Sequence, residues 1–220
     1  MSDSVNCNGG NDGSITVTTT GGTGPITYLS TPAATQGPSG TFTGLIAGPY
    51  TITATDSLGC AIITNVTVGE PAVLGIAGVL VDSVDCNGGS DGTVTVNVSG
   101  GTPSYTYVIS PAAGSQPTAG NFIGLPAGAY TITVTDVNNC STSTSVTVSE
   151  PTALSYTSVL TADVSCNGAS DGSITAVGTG GTGTLSYSLN PTATQPTAGN
   201  FTGLSGNTYT ITLSDQNNCT

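Results

Sequence analysis

Apolar and polar residues alternate one for one over short stretches along the whole chain. Tyr130, Ile132 and Val134 alternate with threonines, and Ile15 and Val17 stand in the same alternation near the start. This period of two, carried by β-branched residues, predicts half-buried antiparallel strands, and no stretch shows the spacing of an amphipathic helix. Clusters of Gly and Pro interrupt the alternation and predict turns. The chain is therefore expected to be all-β.

The pattern recurs with a period of about 80 residues. Cys7, Cys86 and Cys166 each open a stretch that reads Cys-Asn-Gly, then Asp-Gly, then Gly-Gly-Thr. Because this period is the size of a small domain rather than of one solenoid turn, each recurrence is interpreted as one domain. The chain is then a window from a longer array. The predicted domains are repeat unit 1 over 1–70, without its first strand, a complete repeat unit 2 over 71–150, and repeat unit 3 over 151–220, without its last strand.

Each repeat unit is expected to hold about seven short strands in two packed sheets. The stretch LPAGAYTITVTD, in which Tyr130 opens a late strand, resembles the tyrosine corner of immunoglobulin-like domains. The predicted fold class is all-β, with tandem immunoglobulin-like β-sandwich domains and one disulfide per unit. In the second unit, strands are predicted at Leu74–Val81, Thr93–Val98, Tyr105–Ile109, Asn121–Ile123, Tyr130–Thr135 and Thr144–Val148.

The charge composition excludes several classes of function. The 220 residues include 12 Asp and Glu but no Lys, Arg or His, so the formal charge is −12. A chain without cationic side chains cannot bind nucleic acid through its phosphates, and it lacks the commonest general base and metal ligand. The longest apolar run, which starts at Ala72, is too short to cross a bilayer. We therefore expect no enzyme, no nucleic-acid partner and no membrane insertion.

Six cysteines occur as two per repeat unit, in a fixed phase. The even count and the absence of His favour disulfides over a metal site, and the alternative is buried, reduced thiols. A bridge within each unit would close a loop that contributes roughly 4 kcal/mol in the chain-entropy model. Such bridges would place the protein in an oxidising compartment. The predicted pairs are Cys7–Cys60, Cys86–Cys140 and Cys166–Cys219.

The acidic residues offer two sites for calcium, which prefers clustered oxygen ligands. One is the Asp-Gly pair of each repeat at Asp12, Asp91 and Asp171, where the favoured interpretation is a turn, since Asp-Gly tolerates left-handed backbone angles. The other lies near the junctions between units, where plain solvation is the favoured interpretation. No other cofactor is expected. The junctional calcium candidates are Asp56, Glu70, Asp82, Asp136, Glu150 and Asp163.

The stretch CNGGSDGTVTVNVSGGTPSYTYVIS, followed by FIGLPAGAYTITVTDVNNC, closely resembles the SprB repeat. This family occurs in cell-surface adhesins of Bacteroidota, including the gliding-motility adhesin. The resemblance covers the chain three times, although the third unit reads LSGNTYTITLSD in place of the LPAG corner. It implies export by the type IX secretion system and an extracellular, cell-surface location.

The resemblance and the composition together suggest a structural repeat module of a long extracellular adhesin or surface filament. Its role would be reach, stiffness and surface attachment, including gliding, and its partners would be neighbouring repeats of the same chain. The alternative is a glycan- or surface-binding module with one weak site per repeat, for which the candidate side chains are Tyr105, Tyr107 and Tyr187. Short Asp-Ser-apolar motifs, which resemble an O-glycosylation signal of Bacteroidota, mark Ser4, Ser57 and Ser83.

Overall fold

The computed structural model describes all 220 residues, and they fold almost entirely as short β-strands. A single turn of 3-10 helix covers Pro38–Gly40. The strands are β1 Ser2–Asp3, β2 Gly13–Thr16, β3 Thr27–Thr31, β4 Thr35–Gln36, β5 Thr41–Leu45, β6 Gly48–Thr55, β7 Ala61–Val68, β8 Gly75–Asp82, β9 Gly92–Ser99, β10 Thr106–Ser110, β11 Ser115–Thr118, β12 Asn121–Leu125, β13 Gly128–Thr135, β14 Ser141–Val148, β15 Ser155–Ala162, β16 Gly172–Thr179, β17 Ser186–Asn190, β18 Thr194–Thr197, β19 Asn200–Leu204 and β20 Thr210–Ser214.

Each repeat forms two sheets with the same strand order. The orders are β1-β2-β5-β4 with β3-β6-β7, then β8-β9-β12-β11 with β10-β13-β14, then β15-β16-β19-β18 with β17-β20. This arrangement confirms the predicted all-β class with tandem immunoglobulin-like sandwiches. The second repeat has seven strands, and β11 was not among the strands predicted for it. The structure contains no helix that is long and apolar enough to cross a membrane.

Backbone contacts divide the chain into two compact units, and the middle repeat contributes to both of them. The predicted domain boundaries at 70 and 150 therefore stay a prediction. The first unit comprises residues 1–79, 96–108 and 132–144, and the second comprises 80–95, 109–131 and 145–220.

Alternation along the strands builds the core. In the first unit Ile15 on β2 lies opposite Phe42 on β5, and both side chains are at most 1% exposed. In the second unit Ile174 on β16 lies opposite Phe201 on β19 in the same way. A phenylalanine is thus among the largest fully buried side chains at the equivalent place in the first and third repeats, which accounts for its recurrence in phase.

The tyrosine corner is present in all three repeats. The Tyr130 hydroxyl donates to the carbonyl oxygen of Pro126 at 2.9 Å, and Tyr50 donates to Ile46 at 3.2 Å. In the third repeat Tyr209 makes the bond to the Ser205 carbonyl at 3.2 Å, although the surrounding sequence differs. The predicted resemblance to the immunoglobulin corner is therefore confirmed at Tyr130.

The predicted disulfide pairing within repeats is wrong. The bonds that form are Cys7–Cys140 and Cys86–Cys219, and Cys60 and Cys166 are exposed free thiols. None of the pairs Cys7–Cys60, Cys86–Cys140 and Cys166–Cys219 exists, and the alternative of buried thiols is wrong as well.

The reason for this error lies in the length of one strand. The Val5 amide donates to the Gly69 carbonyl, which places Cys7 beside the end of β7, whereas Cys60 precedes the start of β7. That strand has 8 residues, so the two cysteines lie at opposite ends of it, roughly 25 Å apart at ~3.3 Å per residue. A disulfide needs Cα atoms within about 7 Å.

Candidate functional site: the joint between successive repeats

Each disulfide links the first cysteine of one repeat to the second cysteine of the next repeat. The Cα atoms are 5.7 Å apart in Cys7–Cys140 and 5.5 Å apart in Cys86–Cys219, and both bonds span 133 residues of sequence. We call the surroundings of these two bonds joint 1 and joint 2. Joint 1 lies entirely within the first compact unit and joint 2 within the second. The two joints are built from equivalent residues, which makes them the strongest candidate for a functional feature.

A buried carboxylate holds the turn that carries the second cysteine. In joint 1 Asp136 accepts the backbone N–H groups of Asn138 and Cys140 on one oxygen, both at 2.9 Å. Its other oxygen accepts the Thr102 N–H at 2.9 Å. The Asp136 side chain is 4% exposed, so these bonds replace the water that the charge would otherwise bind.

Joint 2 repeats the same arrangement. Asp215 accepts the N–H groups of Asn217, Cys219 and Thr182 at 2.8–3.0 Å, and its side chain is 3% exposed. The donated hydrogen bond from Thr182 holds the pKa of Asp215 below its usual value, as Thr102 does for the pKa of Asp136. Both carboxylates are therefore charged at neutral pH.

An asparagine side chain ties the cysteine turn to the preceding repeat. In joint 1 Asn138 donates from Nδ2 to the carbonyl oxygen of Asn6 at 3.0 Å. In joint 2 Asn217 donates to the Asp85 carbonyl at 3.2 Å. The accepting residue in each case immediately precedes the first cysteine of the bond, so the disulfide and the amide hydrogen bond lie side by side. In the first repeat Leu58 stands at this position.

The linker that joins two repeats packs onto a pair of glycines. In joint 1 the Gly101 N–H donates to the Ala72 carbonyl at 2.8 Å. A Cβ at Gly100 would overlap the carbonyl oxygen of Val73, and one at Gly101 would lie 2.9 Å from a methyl group of Leu74. The third repeat uses Gly180 and Gly181 against its own linker in the same way. The Gly-Gly-Thr motif thus provides the surface on which the linker packs.

The Cys-Asn-Gly motif holds the start of the linker. In joint 1 Asn8 donates to the Pro71 carbonyl at 3.0 Å, and the Gly9 N–H donates to the Glu70 carboxylate at 2.9 Å. In joint 2 Asn87 donates to the Pro151 carbonyl at 3.0 Å. The Gly88 N–H donates to the Glu150 carboxylate at 2.6 Å. The Glu-Pro pair is therefore held by the repeat that precedes it.

The structure does not bring the junctional acids together as a metal site. No group of three or more His, Cys, Asp or Glu side chains is placed to hold an ion. Four of the six candidates accept backbone N–H groups instead, whereas Asp82 is the last residue of β8 and Asp163 directly follows β15. Junctional calcium binding stays a prediction. The four that accept backbone hydrogen bonds are Asp56, Glu70, Asp136 and Glu150.

The Asp-Gly aspartates brace the Cys-Asn-Gly loop. Asp12 accepts the Asn6 N–H at 3.0 Å, and Asp91 and Asp171 accept the equivalent N–H groups of their own repeats. These contacts are those of a turn, as the favoured interpretation of the sequence expected.

The three tyrosines proposed for glycan binding are partly buried, and two of them use their hydroxyls within the protein. Tyr105 donates to the Gly100 carbonyl at 2.7 Å, and the Tyr187 hydroxyl accepts the Gly178 N–H at 2.8 Å. Tyr107 is half-buried at the position equivalent to Tyr187. No array of free phenol groups is left for a ligand at these positions.

The three serines proposed for glycosylation are exposed. Two already make hydrogen bonds, because Ser57 donates to the Thr23 carbonyl at 2.6 Å and Ser83 lies 2.6 Å from the Ser149 hydroxyl. Glycosylation at Ser4, Ser57 and Ser83 stays a prediction.

Sequence reasoning missed the joint. The Gly-Gly-Thr and Cys-Asn-Gly motifs were visible, but their partners are linker residues that carry no motif beyond Glu-Pro. A usable signal did exist. An asparagine recurs two residues before the second cysteine of a repeat at Asn138 and Asn217, whereas the first repeat has Leu58 at this position.

The solved structures that match this chain include two multidomain proteins. The N-terminal eight Ig domains of Down Syndrome Cell Adhesion Molecule, isoform 1.30.30, align with 93% of this chain at 14% identity, with a TM-score of 0.44. The C-terminal 282-residue fragment of intimin, solved with the intimin-binding domain of the translocated intimin receptor, aligns with 71% at 19% identity, with a TM-score of 0.35. The chain spans 30% and 64% of these two structures.

Family comparison identifies the repeats directly. No curated protein matches the chain. A family model described as the SprB repeat matches it three times, over residues 2–35, 80–114 and 158–194. Each match begins a few residues before the first cysteine of a repeat and includes the Cys-Asn-Gly, Asp-Gly and Gly-Gly-Thr motifs. The chain therefore carries three repeats of the SprB repeat family.

Proposed function

We propose that this chain is a structural module of a long extracellular adhesin or surface filament, in which each disulfide joins one repeat to the next. The observation that carries the proposal is the register of the bonds Cys7–Cys140 and Cys86–Cys219. A bond inside a repeat holds only that repeat together, whereas a bond between repeats keeps two successive repeats covalently tied to each other when the array is under tension. The match of three repeats to the SprB repeat family supports a role at the cell surface.

The covalent path between the two ends is short. A force applied at Cys7 and Cys219 passes through the first bond to Cys140, back along the chain to Cys86, and through the second bond. With both bonds intact the fully stretched path is roughly 190 Å, whereas the chain from Cys7 to Cys219 without them reaches roughly 740 Å. The module is therefore suited to carry load with little lengthening.

The proposed location is extracellular. Disulfides of this kind persist in oxidising compartments, and a net charge of −12 without cations would keep neighbouring filaments apart. Export by the type IX secretion system, movement of the filament in gliding and attachment to surfaces are parts of the same proposal. No residue is assigned a catalytic role.

Single-molecule stretching tests the proposal. The chain is held by handles at its two termini and is unfolded with and without reductant. We expect a total contour length of roughly 220 Å when oxidised, because the residues outside the two bonds add to the path, and roughly 770 Å when reduced. The variant Cys140→Ser, Cys219→Ser serves as the control, because it should extend fully without reductant. An oxidised chain that extends as far as this control would contradict the proposal.

A further inference from the structure

Asparagine is followed by glycine at three places in the chain, and each place comes directly after the first cysteine of a repeat. Glycine after asparagine makes the pair reactive, because no side chain hinders the approach of the glycine nitrogen to the asparagine amide. Asn8 and Asn87 are exposed to water. Each of the two joints therefore contains a reactive pair. The three pairs are Asn8-Gly9, Asn87-Gly88 and Asn167-Gly168.

The reactive pair lies in a tight turn. The Gly10 N–H donates to the Cys7 carbonyl oxygen at 2.9 Å, and Gly9, the third residue of the turn, has φ 73°. The turn at Cys86–Gly89 is closed by the same hydrogen bond, and its third residue Gly88 has φ 74°. A left-handed third residue is typical of a type II turn, which favours glycine there. The glycine that makes the pair reactive is thus the residue that the turn requires.

In the closed joint the linker binds both reacting groups of the pair. Asn8 donates from Nδ2, the nitrogen that would leave, to the Pro71 carbonyl at 3.0 Å. The Gly9 nitrogen, which would attack, donates its hydrogen to the Glu70 carboxylate at 2.9 Å. This nitrogen must lose that hydrogen before it can attack, and a neighbouring negative charge disfavours the anion that would form. The linker therefore protects the pair from reaction.

The disulfide holds the protected arrangement from the other side. Cys7 directly precedes Asn8 and is bonded to Cys140 of the next repeat. In joint 2 the equivalent contacts and the second disulfide protect Asn87 in the same way. A joint that loses its disulfide loses this restraint, so a larger fraction of molecules has the linker detached at any moment.

We propose that Asn8 and Asn87 are deamidation sites that react while their joint is open, and that the product prevents the joint from closing again. In the open joint the Gly9 nitrogen forms a bond to Cγ of Asn8. The bond between Cγ and Nδ2 breaks, and the hydrogen of the Gly9 N–H leaves with Nδ2 as ammonia. Water then opens the resulting succinimide ring at one of its two carbonyls, which leaves an aspartate or an isoaspartate.

The product cannot restore the contacts of the closed joint. A carboxylate at position 8 has no hydrogen to donate to the Pro71 carbonyl, so two acceptors would face each other. It also brings a second negative charge close to Glu70, and the chain has no Lys, Arg or His side chain to neutralise it. An isoaspartate additionally lengthens the main chain within the turn. A joint that has stayed open is therefore marked by a lasting chemical change.

Peptide mapping by mass spectrometry tests the proposal on the full oxidised chain. The chain is kept in mildly alkaline buffer, and samples are reduced and digested with pepsin in acid, since trypsin has no site in a chain without Lys and Arg. The deamidated fraction at Asn8 and Asn87 is followed with time. The reference is a synthetic peptide of residues 6–11 with Cys7→Ser. We expect the folded chain to react at least about tenfold more slowly than the peptide, because only the open fraction reacts.

Each joint serves as the control for the other. Cys140→Ser removes the bond of joint 1 alone, and it should raise the deamidation rate of Asn8 about tenfold while Asn87 keeps its slow rate. Cys219→Ser should have the reverse effect. The slow reaction at the unchanged joint shows in the same sample that the variant chain is folded.

A second variant tests the effect of the product and does not depend on removing a cysteine. Asn8→Asp should allow dithiothreitol to reduce Cys7–Cys140 at a several-fold lower concentration than in the natural chain, whereas reduction of Cys86–Cys219 should be unchanged. Asn87→Asp should have the reverse effect, because it alters joint 2 alone.

Four results would overturn the proposal. The natural chain could deamidate at Asn8 as fast as the peptide, or Cys140→Ser could leave the rate at Asn8 unchanged. Equal acceleration at Asn8 and Asn87 would attribute the reaction to global unfolding instead of the opening of one joint. An Asn8→Asp chain whose Cys7–Cys140 bond resists reduction as in the natural chain would remove the effect of the product. The assay applies no force, so its failure would leave the load-bearing function proposed above unaffected.

Discussion

At the scale of single residues, the joints depend on carboxylates that are charged although they have little contact with water. Asp136 and Asp215 each accept three backbone N–H groups, and Asp56 accepts the same set in the first repeat. A carboxylate with such donors is stabilised in its ionised form, which is why the pKa of each of these groups lies below its usual value. Protonation of these groups must therefore weaken the folded state.

This leads to a prediction for acid. The unfolded state, with an ordinary Asp pKa near 3.8, binds protons before these folded carboxylates do. The contribution of these carboxylates to the free energy of unfolding is complete above the unfolded-state pKa. It is lost as the pH falls through the lower pKa values of the folded state. Asp85 acts in the opposite direction, because the negative charge of Asp91 raises its pKa, but it is a single group. We expect a melting temperature that is flat from pH 7 to about pH 5 and falls below pH 4.

Thermal unfolding followed by circular dichroism across this pH range is the measurement. Asp136→Asn is the informative variant, since the amide retains an acceptor oxygen but carries no charge. It should be less stable than the natural chain at pH 7, and the difference should shrink at pH 2. A natural chain whose melting temperature rises steadily on acidification would disprove the role given to these carboxylates.

At the scale of elements, a linker covers the glycine pair in the second and third repeats, whereas the glycine pair of the first repeat is uncovered. The backbone at Gly100 has φ 68° and at Gly21 φ 84°, so both positions require the left-handed conformation that glycine adopts without strain. They differ in what lies above them, which is the Val73 carbonyl in one case and open space in the other. A comparison of Gly21 with Gly100 therefore isolates the contribution of the linker contact to stability.

Alanine at each position separates backbone strain from the lost contact. Gly21→Ala should lower the free energy of unfolding by about 1–2 kcal/mol through left-handed strain alone. Gly100→Ala should lower it by a further ~2 kcal/mol or more, because the new methyl group displaces the linker. Urea unfolding of both variants measures the difference. Equal losses would show that the linker contact contributes little.

At the scale of the whole molecule, the two disulfides overlap in sequence. The segment between Cys86 and Cys140 lies inside both loops, so every peptide bond from Cys7 to Cys219 is spanned by at least one bridge. Each bridge closes a loop of 133 residues, which in the chain-entropy model restricts the unfolded state by about 5 kcal/mol when taken alone. A single break in the backbone therefore does not separate the chain into two pieces.

A protease site inserted in the linker after Glu70 tests this topology. After cleavage the chain should remain one band on a non-reducing gel and become two bands on a reducing gel. In the Cys140→Ser variant the same cut should give two bands without reductant, because Cys86–Cys219 lies wholly on one side of it. Bridges within repeats would release two fragments from the natural chain, so this result would refute the pairing described here.

The local features of the fold were predictable from the sequence because short-range physics determines them. Period-two alternation placed most strands of the second repeat, and the corner formed by Tyr130 followed from a motif of a few residues. The short strand β11 was missed because its Ser-Gln-Pro-Thr sequence has neither alternation nor β-branched residues in series. The turn role of Asp12 followed from the ordinary behaviour of Asp-Gly.

The sequence by itself determined the repeat, the strand pattern and the family, since each depends on residues close together in the chain. The partner of each cysteine was decided by the tertiary structure. Cys7 and Cys60 belong to one repeat but lie at opposite ends of β7, whereas the next repeat brings Cys140 to within 5.7 Å of Cys7. The position of a cysteine within the repeat does not reveal at which end of a strand it lies, and this end decides with which other cysteine it can form a bond.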